Sequence, residues 1–164
     1  MKLNLGCGTD YRKGFINVDL YAGGADVCNN AVTLVSFEAQ IGKIAEIHAY
    51  HVIEHLPRPG ACVPNARDAV RRWYELLETG GLLVVECPNF EAIVERYAKT
   101  REAWLKSWIF GLHESEGDTH SWGYGMGELV ALLREAGFRV IKSGFGTDAR
   151  AAKCSCLRVE GVKE

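Results

Sequence analysis

The run Leu3-Asn4-Leu5-Gly6-Cys7-Gly8, followed by Ile16-Asn17-Val18-Asp19-Leu20, constrains the fold more than any other feature of the chain. An apolar stretch that feeds a Gly-x-Gly turn reads as a strand delivering its backbone to a ligand. Glycine has no Cβ, so a flat or charged group can approach the main chain and the turn can take a positive φ. An acid at the end of the next apolar run is placed to accept hydrogen bonds from a ribose diol, the logic of nucleoside binding at the carboxyl ends of parallel strands. Only Thr9 to Gly14 separate the turn from the second run. That is too short for a crossover helix of the usual length. Either the first crossover is reduced to a loop, or the two runs form something other than an ordinary βαβ unit.

Further along, strand and helix patterns alternate. Asp26-Val27-Cys28 reads as a brief third strand and Phe37 to Ile41 as a helical turn. Glu46 to Val52 reads as a fourth strand, ending in the polar group His51, Glu54 and His55. The strongest helix pattern is Ala66 to Glu78, where Ala66, Ala69, Val70, Trp73, Leu76 and Leu77 recur at helical spacing. Asn65 suits its N-cap and Gly80-Gly81 its stop. Leu82 to Val85 is a continuous apolar run, as in a strand buried on both faces. A second helical pattern covers Phe90 to Ile109, broken near Thr100; its Trp104 and Trp108 are read as core. A third, Leu129 to Ala136, ends at Gly137. Phe138 to Ser143 and Cys154 to Val162 close the chain without a helix between them, so that pair can be antiparallel. Such alternation predicts an α/β domain with a mostly parallel sheet.

The 164 residues suffice for one domain, 1–164, with a proper core. A net charge of -2 without a basic block gives no indication of a nucleic-acid surface. No apolar stretch is long enough to span a bilayer, and Met1-Lys2-Leu3 enters the first strand without a signal peptide, so a cytoplasmic location is expected. The six cysteines contain no Cys-x-x-Cys pair. Cys154 and Cys156 lack further nearby ligands, so free thiols are expected and no metal site.

In order along the chain, Leu3 to Gly8, Gly14 to Leu20, Ala25 to Val27, His51 to Leu56, Leu76 to Pro88, Thr119 to Gly123 and Leu129 to Phe138 resemble the small class I S-adenosylmethionine-dependent methyltransferases. More narrowly they are similar to a compact group linked to cell-surface polysaccharide gene clusters. The His-Val-Ile-Glu-His-Leu and Leu-Leu-Glu-Thr-Gly-Gly-Leu-Leu-Val-Val-Glu-Cys-Pro-Asn runs carry most of the resemblance. It implies a Rossmann-like three-layer sandwich with an antiparallel closing strand and a reduced first crossover helix. The family often has an acid where this chain has Asn30, and Pro-Asp where it has Pro88-Asn89.

Methyl transfer from a sulfonium is an in-line displacement, for which the protein supplies alignment and a dry site. The resemblance implies S-adenosylmethionine as cofactor. It assigns the cofactor's backbone contacts to Gly6, Cys7 and Gly8, the ribose to Asp19, adenine cover to Leu20 and Val52, and the adenine amine to Asn30. His51 is expected at the end of the fourth strand, for cofactor contact or proton transfer. Glu54 and His55 are read as orienting loops. His113, Glu114, Glu116, Asp118, His120, Trp122 and Tyr124 suit a small-molecule or saccharide acceptor, since rings stack and carboxylates and imidazoles hydrogen-bond. They read as a lid with glycine hinges, in which His113, His120, Trp122 and Tyr124 bind the acceptor and His120 joins His51 in catalysis. Two competing readings are a nicotinamide-dependent oxidoreductase, which lacks its third glycine and its pyrophosphate-receiving helix, and a catalytically silent domain that binds a partner protein. The sequence is silent on oligomeric state.

Overall fold

Seven strands form a single sheet in a computed structural model that describes residues 1–115, 117–147 and 154–164. They are β1 (Lys2–Leu5), β2 (Ile16–Asp19), β3 (Val27–Cys28), β4 (Ile44–Tyr50), β5 (Leu77–Pro88), β6 (Phe138–Phe145) and β7 (Cys156–Lys163). Their order across the sheet is β3-β2-β1-β4-β5-β7-β6. The pairs among β1 to β5 are parallel, and β7 runs antiparallel to both β5 and β6. Chain order reverses at β1, between β2 and β4, which opens a crevice at the carboxyl ends of those strands.

Register explains what each face buries. Leu5, Ala49, Val85 and Val159 lie side by side across four strands, and Leu3, Ile47 and Leu83 across three. This apolar face is packed by two helices, α1 (Ala66–Leu76) and α4 (Met126–Glu135), and by the 3-10 turn Val35–Gln40. Side chains alternate along a strand, so Asn4, His48 and Tyr50 fall on the opposite face, with Glu86, Arg158 and Glu160. There the loop between β1 and β2 supplies the cover. The Phe15 ring lies 4.8 Å from His48, and the Arg12 guanidinium 4.0 Å from the centre of the Tyr50 ring. Neither that loop nor the β2–β3 connection contains a helix. The reduction expected for the first crossover thus extends to the second.

The start of α1 follows local rules. The Asn65 side chain accepts from the Arg67 amide at 2.9 Å, and Asp68 accepts from the Asn65 amide at 3.1 Å. Its end does not follow them. The helix stops at Leu76, ahead of Gly80-Gly81, and β5 begins at once. Lys163 of β7 donates to the carbonyls of Tyr74 and Leu77, each at 2.8 Å. The amide of Gly42 reaches the carbonyl of Glu75 at 3.0 Å. Carbonyls left open at a helix end need partners, and remote groups satisfy these early. The second helical pattern divides into α2 (Phe90–Thr100) and α3 (Leu105–Phe110), with Arg101 left-handed between them. Ile93, Leu105 and Cys154 form a small second core there. Asn89 caps α2, accepting from the Ala92 amide at 3.2 Å.

Candidate functional site

The crevice is a cavity of about 1300 Å3. Gly6 and Gly8 both line it, with φ of 59° and 50°. A Cβ on Gly6 would collide with Cγ2 of Val52, whereas one on Gly8 would meet open space. The main chain is therefore open to a ligand at Gly8 and sealed by Val52 beside it. Cys7 turns away from the cavity and is buried; burial, helped by the charge of Asp19, pushes its thiol up to about 11. Its side chain belongs to the interior, and only the turn's backbone connects it to the site.

Asp19 ends β2 at the cavity wall and builds the turn. One carboxylate oxygen accepts from the Gly8 amide at 2.8 Å, the other from the amides of Tyr21 at 2.8 Å and Ala22 at 2.9 Å. Burial opposes its ionisation, but the amides of Gly8, Tyr21, Ala22 and Leu20 outweigh it and hold the carboxyl below its usual range. A carboxylate has about four acceptor sites, so capacity remains for a ligand. Leu20 is half exposed on the same wall. Asn30 also lines the cavity, but its side-chain oxygen accepts from the Val32 amide at 2.8 Å, a local turn contact. Its neighbour Asn29, which sequence reasoning passed over, is buried with its amide nitrogen unpartnered among the described residues, and it lines the cavity too.

On the opposite wall the end of β4 leads into a 3-10 turn, Ile53–His55. His51 has a φ of 55°. Its Nδ1 lies 3.2 Å from Oε1 of Glu54, and its ring meets Trp108 edge-on at 6.1 Å. Glu54 is 2% exposed. Burial opposes its charge, but the contact with His51 and the nearby imidazoles of His55 and His120 prevail and lower its pKa. Nδ1 of His55 donates to the Thr119 carbonyl at 3.1 Å, and Nδ1 of His120 to the Trp108 carbonyl at 3.1 Å. The two rings stand edge to face at 4.8 Å. Burial lowers the pKa of His120 against the pull of Glu54.

The segment expected as a lid is tied to the turn that carries Glu54. The amides of Ser121 and Trp122 both donate to the Glu54 carbonyl, at 2.7 and 3.1 Å. Short bridges join Gly111 to Thr119 and Asn89 to Tyr124. Gly117 packs against the Tyr21 ring, where a Cβ would overlap, so it serves close approach. Of the four residues expected to meet an acceptor, only His120 lines the large cavity. His113 is exposed, and its Nε2 lies 2.8 Å from the Phe110 carbonyl. Trp122 lines a separate hollow of about 320 Å3 beside Phe90 and Phe110. Tyr124 is 1% exposed in the main core. Asp118 lines the large cavity, and Glu116 lies outside the described residues. Trp108, read from sequence as core, packs beside the small core and also reaches the cavity, whereas Trp104 is exposed beneath Arg96.

No family model matches the sequence, and no curated protein matches it. Solved structures do match its fold. One is a SAM-dependent methyltransferase of Thermotoga maritima, described as a possible histamine N-methyltransferase, with 18% identity and a TM-score of 0.63 over 99% of this chain and 82% of that one. Another, from Methanosarcina mazei, has 15% identity and a TM-score of 0.68 over 99% and 91%. A third is the 1,6-didemethyltoxoflavin-N1-methyltransferase of Burkholderia thailandensis, solved with its acceptor and S-adenosylhomocysteine, at 16% identity and a TM-score of 0.61 over 99% and 70%. With its strand order, its reversed closing strand and its crevice at β1, the chain has the Rossmann-like fold of the class I SAM-dependent methyltransferases.

Proposed function

We propose that the protein is an S-adenosylmethionine-dependent methyltransferase that transfers a methyl group in line to a small-molecule or glycan-type acceptor. The observation that carries this reading is the Gly6-to-Gly8 turn, locked to Asp19 at the switch in strand order and facing a wall of histidines across one cavity. A single ligand pocket usually measures about 300–1000 Å3. At about 1300 Å3 the cavity has room for a nucleoside cofactor and an acceptor together. Gly8 gives the cofactor its backbone contact, Asp19 accepts from the ribose, and Leu20 and Val52 cover the base. The unpartnered amide of Asn29 adds a donor for a purine ring nitrogen, beside Asn30, whose oxygen already accepts from Val32. His51 and His120 stand on the acceptor side, to hold the acceptor and receive its proton.

Nicotinamide binding is disfavoured by the loop between β1 and β2, which offers no helix N-terminus to a pyrophosphate. Polar groups on the acceptor wall, including Ser107, Asp118, Thr119 and Ser121, beside the Trp108 ring, suit a polyhydroxylated acceptor. Calorimetry with S-adenosylhomocysteine, S-adenosylmethionine and NAD tests the assignment. Saturable binding of the two sulfur nucleosides and none of NAD is expected. Binding of NAD alone would refute it.

A further inference from the structure

We infer that Glu54, His55 and His120 bind a divalent transition-metal ion at the acceptor side of the cavity. A carboxylate oxygen of Glu54 and one ring nitrogen of each histidine lie within 4.8 Å of one another. Three features of the surroundings fit them as ligands. First, Glu54 is 2% exposed, and its Oε2 has no hydrogen-bond partner among the described residues. A buried carboxylate oxygen without a partner is costly, and a cation would satisfy it. Second, both histidines are held in one tautomer. Their Nδ1 atoms face the carbonyl oxygens of Thr119 and Trp108. A carbonyl only accepts, so in the neutral ring Nδ1 keeps the proton and Nε2 presents a lone pair. Metal-binding histidines are typically fixed in this way by backbone carbonyls. Third, His51 holds the other carboxylate oxygen of Glu54 at 3.2 Å, which orients the carboxylate.

Two imidazoles and one carboxylate suit zinc, cobalt or nickel better than magnesium or calcium, which prefer oxygen alone. Bonds of about 2.0–2.1 Å place ligand atoms closer together than they stand here, so small side-chain rotations would close the site. Three protein ligands leave coordination positions open, and all three residues line the cavity. Those positions would take an oxygen or nitrogen of the methyl acceptor, so that His120 holds the acceptor through the metal and receipt of its proton falls to His51. That last role rests on the methyltransferase reading, whereas the metal site itself does not.

The test uses the full chain stripped with a chelator and titrated with Co2+, followed by visible absorption and by elemental analysis after dialysis. One equivalent should bind saturably, with d–d bands and without the charge-transfer band of a thiolate ligand. His120→Ala, His55→Ala and the near-isosteric Glu54→Gln should each weaken binding about tenfold or more. His113→Ala, which alters an exposed histidine away from the cavity, should leave it unchanged. Absence of saturable binding, or binding that persists in all three variants, would overturn the inference. S-adenosylhomocysteine affinity measured on the same stripped protein separates the two proposals. Nucleoside binding without Co2+ binding removes the metal site alone. Co2+ binding without nucleoside binding removes the methyltransferase reading and leaves the metal site standing.

Discussion

Replacing Gly6 with alanine probes how the glycine turn at the cavity wall is sealed. Two costs combine. At a φ of 59° a Cβ crowds the following carbonyl, which costs about 1–2 kcal/mol. The new methyl also collides with Cγ2 of Val52, a side chain only 6% exposed. Val52 is β-branched and stiff at χ1, so it cannot swing aside without strain. Overpacking of this kind costs about 1–3 kcal/mol. Together the loss should be about 2–5 kcal/mol, a large share of the about 5–15 kcal/mol that holds a domain folded. Val52→Ala removes the colliding carbon and leaves the backbone cost in place. In that background Gly6→Ala should cost only about 1–2 kcal/mol, a coupling of about 1–3 kcal/mol between the two sites. Urea unfolding of the wild type, both single variants and the double variant measures it. Costs that add to within about 0.5 kcal/mol would refute the contact and with it this account of the seal.

Asp19→Ala should lower S-adenosylhomocysteine affinity by about one to two decades and also destabilise the chain, because three amides lose their acceptor; calorimetry and urea unfolding together would expose an error if neither changed. Tyr124→Phe removes a buried hydroxyl that has no partner among the described residues, so stability should stay level or rise by about 1 kcal/mol; a marked loss of stability or turnover would restore a polar role for Tyr124. His48 accepts from Arg12 at 2.8 Å through Nδ1 and donates to Glu46 at 2.6 Å through Nε2, and burial, with the charges of Arg12 and Arg158, lowers its pKa against the pull of Glu46. The unfolded chain therefore binds this proton more readily, and stability should fall as pH drops below the ordinary histidine value. His48→Gln should flatten that slope, and an unchanged slope would exclude His48 as its source.

Local chemistry made part of this protein legible from its sequence. The Gly-x-Gly turn, the acid closing the next strand and the spacing too short for a helix are all set within Leu3 to Asp19. They appear in the structure as adjacent parallel strands joined by a loop. The start of α1 was equally plain, because Asn65 and Asp68 cap it within one turn. What sequence could not supply depends on groups that meet only after folding. The end of α1 is decided by Lys163, on a strand at the far end of the chain. Sequence pointed to Asn30 for the adenine amine, yet Asn30 spends its oxygen on a neighbour, while Asn29 beside it lines the cavity and has a buried amide without a partner among the described residues. Tyr124 and Trp122 shared a polar loop with His120 in sequence, but packing sent one to the core and one to a second hollow. Neither cysteine spacing nor the His51 to His55 run pointed to a metal site in sequence, whereas the group with a metal-binding arrangement joins Glu54 and His55 to a histidine on a distant loop. Periodicity and capping act over a few residues and can be read along the chain; an unpartnered buried atom is defined by everything around it, and only the tertiary structure decides that.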